Sequence, residues 1–466
     1  MRMRTFAAAL GFAVCLPFTV SHAEEDINSR LNRLDSELRR QAETIREQQL
    51  IIEELRGRLT SPPSDEKAQR VSTPMEREQP PGESLSGKLT GLFGGSLMTN
   101  PYLSLILDAK GFVSNLKNSE LNDRGVPGFT TEGRGLRNGF NVDAAELFIF
   151  APVDPYFNLY ATVPISDSGA ELEEAYVVTT SLPEGFQVKG GRFKSNTSRL
   201  NSQHPHAWEF ADIALPYRAF LGPEGSGGDN GVQLTWLPSL PFYTLLGFEA
   251  FQGDNALLFG DDDNWGPHTF SGFVKMSFDT SENSSLLVGP WAMFGSTRSG
   301  GILPVDESSG NSFSLRGDSA LYGMEAAWKW KKGSHGVTVQ GEYLYLTQNG
   351  DLTATDPAGT VASVDRLKRH QDGAYLQALY RYDRWRVGAR YDRLEIFDNT
   401  FKVNGVQQTF SGKPWRLTGS LEFNPSEFST IRAQYTHDRS ARNGQVNNEG
   451  LLQFIFTIGA HPAHAF

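Results

Sequence analysis

The chain has one cysteine among 466 residues. Cys15 lies inside an N-terminal stretch, residues 1–23, that reads as an export signal: Arg2 and Arg4, an apolar run from Phe6 to Val20, then Ser21, His22 and Ala23 as a small-x-small cleavage site. Val14 before Cys15 is not the small residue that precedes a lipidated cysteine. From Glu24 onward there is no cysteine, which excludes disulfides, thiolate metal sites, cysteine nucleophiles and haem attachment through cysteine. No second long apolar run exists and the mean hydropathy is negative, so a bundle of membrane helices of about 20 apolar residues each is excluded too. A chain of this kind that spans a membrane does so with strands. Phosphate-binding glycine loops, paired-histidine protease motifs and basic patches interleaved with aromatics are also missing, which leaves no sign of nucleotide hydrolysis, zinc proteolysis or nucleic-acid binding.

Residues 24–59 are charged and aliphatic, with no proline and only Gly57 as glycine. With Leu31 at position a, Leu31, Leu38, Ile45, Ile52 and Leu59 occupy a, and Ile27, Leu34, Gln41, Gln48 and Leu55 occupy d. A period of 3.5 sustained in this way predicts a coiled coil, and two consecutive glutamines at d specify register and strand number at the expense of apolar burial. Residues 60–90 carry Pro62, Pro63, Pro74, Pro80 and Pro81 among polar residues and read as an extended linker.

From 91 to 466 the pattern is alternation with a period of two. Trp415, Leu417, Gly419, Leu421 and Phe423 alternate with Arg416, Thr418, Ser420 and Glu422, and the stretches 374–383 and 385–392 repeat the pattern. Aromatics gather at the ends of such runs, where their amphipathic rings suit the interfaces of a bilayer. Sixteen strands are expected, near 101–114, 141–152, 156–166, 171–181, 185–194, 229–236, 242–252, 268–279, 284–297, 318–330, 336–347, 373–383, 385–396, 414–424, 427–438 and 449–459. Short turns such as Asp154-Pro155 and Asp383-Arg384 alternate with long loops, and the even count returns both termini to one side. The fold class is therefore an all-β transmembrane barrel of about 16 antiparallel strands with an N-terminal coiled coil on the periplasmic side. A sandwich or propeller does not predict the short-long alternation or aromatics at both strand ends, and a propeller requires a blade repeat, which this sequence lacks.

The run Glu171-Leu172-Glu173-Glu174-Ala175-Tyr176-Val177-Val178, followed by Gly185-Phe186-Gln187-Val188-Lys189-Gly190-Gly191-Arg192-Phe193-Lys194, resembles a strand pair of the phosphate-selective porin O/P type. Gly231-Val232-Gln233-Leu234 after the next loop and the N-terminal coil are similar as well. The resemblance implies a trimeric, sixteen-stranded, general or anion-selective porin. The arginine and lysine ladder of that family's selective members has no residue-by-residue match in this chain.

With the first strand rising from the periplasm, the third external loop runs from 195 to 228 and is expected to fold into the lumen as a constriction built from Arg199, His204, His206, Trp208, Glu209, Asp212 and Arg218. The pore wall opposite carries Arg381, Arg386, Arg390, Arg416 and Arg432, with Glu342, Glu422 and Asp392 among them; mutual pairing is expected over a bare basic wall. Residues 1–90 hold 13 Lys and Arg against 14 Asp and Glu, so of the chain's 43 and 54 the barrel region has 30 against 40. The acidic excess, including Asp254 and the run Asp261-Asp262-Asp263, repels anions. The two histidine pairs, His204 with His206 and His461 with His464, are the weak metal candidates; the loop and the tail lie on opposite sides, so no metal is assigned. Gly317-Asp318-Ser319-Ala320-Leu321 has a hydrolase-like look without the strand-turn-helix setting, and no catalytic residue is assigned.

The reading is an outer-membrane porin: a passive, water-filled channel for small hydrophilic solutes or ions, with no enzyme activity and no cofactor, in contact with outer-membrane lipid and assembled as a homotrimer. The alternative is a barrel that sheathes a periplasmic electron-transfer or metal-delivery protein.

Overall fold

The computed structural model describes residues 101–459 except 123, 131–134, 168, 224, 256, 261–265, 298–310 and 442–443. The export segment, coiled coil and linker, the Asp261–Asp263 run, and His461 and His464 lie outside the described residues. Sixteen antiparallel strands close into a barrel. They are β1 (Tyr102–Ser114), β2 (Gly139–Pro152), β3 (Phe157–Ser166), β4 (Glu174–Thr179), β5 (Phe186–Lys194), β6 (Gly228–Trp236), β7 (Tyr243–Phe251) and β8 (Thr269–Ser281). The second half is β9 (Ser284–Thr297), β10 (Ser312–Lys332), β11 (His335–Thr355), β12 (Val361–Tyr382), β13 (Trp385–Val403), β14 (Trp415–Ser426), β15 (Ser429–Asp438) and β16 (Asn447–Gly459). Two-residue pieces, Gly169–Ala170 and Val406–Gln407, extend the ends of β3 and β13. Each strand pairs with its sequence neighbour, and β1 closes the ring on β16 from Ser104↔Gly459 to Ser114↔Glu449. Closure leaves no edge of unpaired N–H and C=O groups, a condition that lipid imposes on any strand-built span.

Alternation decides which side chain faces which way. On β13 and β14, Val387, Tyr391, Leu417 and Leu421 are exposed on the outer face, while Arg390, Asp392, Arg416, Thr418 and Glu422 are buried inside. Aromatic pairs band the outer face at the turn end, with Trp385 on Phe423 at 4.7 Å and Phe186 stacked on Trp236 at 5.6 Å between ring centroids. A second set follows the loop end, with Phe248, Phe270 and Phe294 in sequence around the wall and Tyr391 beside Trp415.

The wall is uneven. β4 to β7 have six to nine residues each, while β10 to β12 have 21, 21 and 22. About 9–11 residues cross a bilayer at the usual tilt, so the second group stands well clear of it. The expected strands 318–330, 336–347, 373–383 and 385–396 therefore continue further at the loop end, to Ser312, Thr355, Val361 and Val403. These extensions were missed because no lipid enforces apolar alternation on them; they are held instead by a small core of Leu315, Leu352, Leu367 and Phe401. Ser319 falls inside β10, paired with Gln348, whose side-chain amide donates to its hydroxyl at 3.2 Å, so the hydrolase-like block has ordinary strand context.

Candidate functional site

Strand β5 leads into the loop of residues 195–227, and the register of the quoted strand pair sets the departure. Gly191 has φ +134°, and a Cβ there would stand 2.3 Å from the Ala175 carbonyl oxygen, so the close approach of β4 and β5 requires glycine. Past that point the chain turns into the barrel. The Lys194 N–H donates to Glu174 Oε1 at 2.8 Å, the Asn196 N–H to Glu249 Oε1 at 2.8 Å and the Ser195 hydroxyl to Glu249 Oε2 at 2.5 Å. Gln233 Nε2 and the Ser271 hydroxyl donate to the same carboxylate from neighbouring strands. An inward-turning segment takes its backbone polar groups away from water, and these wall residues supply partners for them.

The middle of the loop is apolar. Leu200, Trp208, Ile213, Leu215, Tyr217 and Phe220 pack on Phe273, Trp291, Met293, Leu321, Leu344 and Tyr375 of the inner wall, joined by Phe129 from the first external loop and Phe259 from the fourth. One side of the lumen is thus filled by a core. A short helix, α1 (Leu215–Phe220), with Pro216 in its first turn, carries Tyr217, whose hydroxyl donates to Glu342 and lies 2.5 Å from Ser198 Oγ. Glu342 Oε1 also accepts the Tyr375 hydroxyl at 2.9 Å. The Arg199 N–H donates to Glu325 Oε2 on β10 at 2.7 Å, and its guanidinium lies 3.6 Å from Glu209.

The arginines of β13 to β15 hold the rest of the loop. Arg390 donates to the Asp212 carbonyl at 2.8 Å, pairs with the Asp212 carboxylate at 3.1 Å and lies over the Phe210 ring at 4.7 Å. Arg416 pairs with the other Asp212 oxygen at 2.6 Å, donates to the Ile213 carbonyl at 2.6 Å and contacts Asp392 at 3.0 Å. Arg432 donates to the Trp208 carbonyl at 2.9 Å and pairs with Glu422 at 2.9 Å. Gln434 completes the seat, its amide donating to Asp212 Oδ1 at 2.7 Å and its oxygen accepting the Ala211 N–H at 2.9 Å. Arg386 is half-buried and paired with Glu422 at 2.6 Å, while Arg381 is exposed at the turn end, donating to the Asp383 carbonyl. Arg218 turns to the first external loop, donating to the Arg124 carbonyl at 2.5 Å.

On the opposite wall the loop meets carboxylates. His204 Nε2 lies 2.8 Å from Glu174 Oε2, and His204 Nδ1 lies 3.0 Å from Glu173 Oε2 and 3.6 Å from Glu146 Oε2. His206 Nδ1 is 3.3 Å from Glu146 Oε2, and the two imidazoles stack at 5.8 Å. Burial opposes protonation of His204, but the hydrogen bonds to Glu173 and Glu174 outweigh it and push its pKa up to about 10. Burial raises Glu173 as well, and Lys194 Nζ at 2.6 Å together with His204 overrides this and holds it well below the carboxylate range. Between this side of the loop and strands β1 to β3 lies a cavity of about 1230 Å³. Its basic groups are largely engaged: Lys110 pairs with Asp143, Arg192 with Asp254 at 3.4 Å and Arg416 with Asp212. Glu171 adds negative charge to its lining, beside Glu146 and Glu173, whose charge His204 and Lys194 partly offset.

Residues 186–449 match the family described as "TonB dependent receptor-like, beta-barrel". The chain belongs to the TonB dependent receptor-like β-barrel family. A protein of Aquifex aeolicus (strain VF5) is 41% identical over 390 residues, covering 78% of this chain and 80% of that one. Among solved structures the chain is similar to an anion-selective porin from Comamonas acidovorans, with 11% identity, 77% of this chain and 100% of that chain covered, and a TM-score of 0.49. It is also similar to OmpT, an outer membrane protein of Vibrio cholerae, with 9% identity, coverage of 78% and 99%, and a TM-score of 0.46. With its closed wall and apolar outer face, this TonB-receptor-like chain is an outer-membrane β-barrel.

Within this TonB-receptor-like barrel, the residues named from sequence separate into two groups. Arg390, Arg416, Arg432, Asp392, Glu342 and Glu422 on the wall meet Asp212, Trp208, Arg199 and Glu209 of the loop directly or through shared partners, whereas Arg381 stands apart. Glu146, Glu249 and Glu325 were not named from sequence, and Glu174 only within the quoted strand pair. Each sits on an inward strand position, and carboxylates at such positions in otherwise ordinary strands were the available signal.

Proposed function

We propose that this barrel is a passive outer-membrane channel for small hydrophilic solutes or ions, with the loop 195–227 as its constriction and a preference for cations. The observation that carries the reading is the asymmetry around that loop: the wall arginines are bound to its backbone and to Asp212, while the cavity on its other side is lined by an excess of carboxylates. An arginine fully engaged with a fixed carboxylate and carbonyl offers little field to a passing anion, whereas carboxylates facing an aqueous space attract cations. The anion-selective side of the porin O/P resemblance is not what these charges support. A folded periplasmic partner would need the lumen that the loop occupies, so the sheath reading has less room. In the same reading, residues 1–23 direct export, the coiled coil at 24–59 lies in the periplasm and joins protomers as a trimer, and the barrel carries out no catalysis. The test is single-channel recording of the refolded full chain in a planar bilayer. Stepwise openings, grouped in threes for a trimer, are expected; silence from folded, heat-modifiable protein contradicts the channel.

A further inference from the structure

We propose that Glu146, Glu173 and His204, with His206 beside them, form a site for a divalent transition-metal ion of the zinc class where the loop meets the wall. The proposal stands apart from the channel reading, because it concerns what ties the loop to β2 and β4 whether or not solutes pass.

Ligands about 2.0–2.1 Å from a tetrahedral ion lie about 3.3 Å from one another. The distances from His204 Nδ1 to Glu173 Oε2 and Glu146 Oε2 are 3.0 and 3.6 Å, and that from His206 Nδ1 to Glu146 Oε2 is 3.3 Å, so these atoms are spaced as edges of such a polyhedron. One ligand atom from each of Glu146, Glu173 and His204 falls within 4.8 Å of the others. The surroundings also suit a metal ligand. His204 Nε2 faces Glu174 Oε2 at 2.8 Å, and a histidine that donates its far N–H to a carboxylate has its other nitrogen fixed as the ligand. Lys194 Nζ takes Glu173 Oε1 and leaves Oε2 toward His204. A separate observation comes from Glu146: its side chain is more than nine-tenths buried, and its Oε1 has no hydrogen-bond partner among the described residues. That oxygen is a ready acceptor for a cation. Glu146, Glu173 and His206 line the cavity, which gives an ion a route in. Mixed imidazole and carboxylate donors favour zinc-class ions over calcium or magnesium, which take oxygen ligands.

The experiment is zinc titration by calorimetry of untagged full-length protein, refolded in detergent and stripped with chelator, with heat-modifiable mobility checking that each variant has a folded barrel. One zinc ion per protomer is expected. E146Q and H204Q should each weaken binding by at least about 100-fold, and E174Q, which removes the carboxylate that orients His204 while its amide oxygen can still accept the Lys194 N–H, by about 10-fold. X-ray absorption of the zinc-loaded protein should show nitrogen and oxygen neighbours with imidazole scattering. The double variant H461A/H464A should bind as the parent does. Absence of one-to-one binding, affinity unchanged in folded E146Q and H204Q, or loss of binding in H461A/H464A overturns the proposal.

Discussion

The two walls that grip the inner loop do so with opposite chemistry. On β13 to β15 the contact is guanidinium to carbonyl and carboxylate, with Arg416 and Asp392 wholly out of contact with solvent. On β2 and β4 it is imidazole to carboxylate, at the rim of a cavity. A charge sealed under a loop acts as a fastener, and a charge on an open face acts on whatever passes. The same barrel therefore carries its arginines beneath the loop, bound to carbonyls and carboxylates, and a count of inward arginines says little until their partners are known.

The arginine-held wall is most sensitive at Asp212, which Arg390 and Arg416 share. Replacing it with asparagine leaves Arg390 and Arg416 buried with one fewer anion, a change that destabilises the seat by roughly 3–5 kcal/mol. D212N should give a larger mean unitary conductance and faster proteolysis of the loop, while the barrel still migrates as folded. Tyr217→Phe is the next step down: Glu342 loses one of its phenolic donors inside the apolar side of the lumen, at a cost of about 1–3 kcal/mol, read as a lower midpoint for heat-induced loss of the folded band. On the open wall the effect moves from stability to selectivity. Glu171→Lys places a positive charge on the cavity lining, and the reversal potential in a salt gradient should move toward anions with unitary conductance changed less than in D212N. Smallest of all, Arg366→Ala removes an exposed pair with Asp351 on the part of β12 beyond the bilayer, worth about 0–1 kcal/mol, and neither conductance nor the thermal midpoint should move measurably.

The strands were legible because a bilayer outside and water or loop inside force opposite chemistry onto alternate residues, as at Leu417 and Leu421 against Arg416 and Glu422. Legibility faded where that force stops. The loop-end extensions of β10 to β13 face water on the outside, and their sequence reads as loop. Alternation also said which way Arg390 points but not what it meets, since its partner Asp212 is 178 residues away and in an irregular segment. The histidine pair was visible as His204-x-His206, but its partners come from β2, from the loop before β4 and from β4 itself. Only the inward course of the loop brings these together. Sequence spacing offered the tail histidines instead, and they lie outside the described residues.

The reversal potential of the unmodified full chain under a potassium chloride gradient reads directly which charges the lumen presents to solution. Arginines sealed beneath the loop and carboxylates facing the cavity predict a reversal potential on the cation-selective side. An anion-selective reversal potential would mean that the arginine wall is open to the passing ions, and would contradict the assignment of Arg390, Arg416 and Arg432 as fasteners.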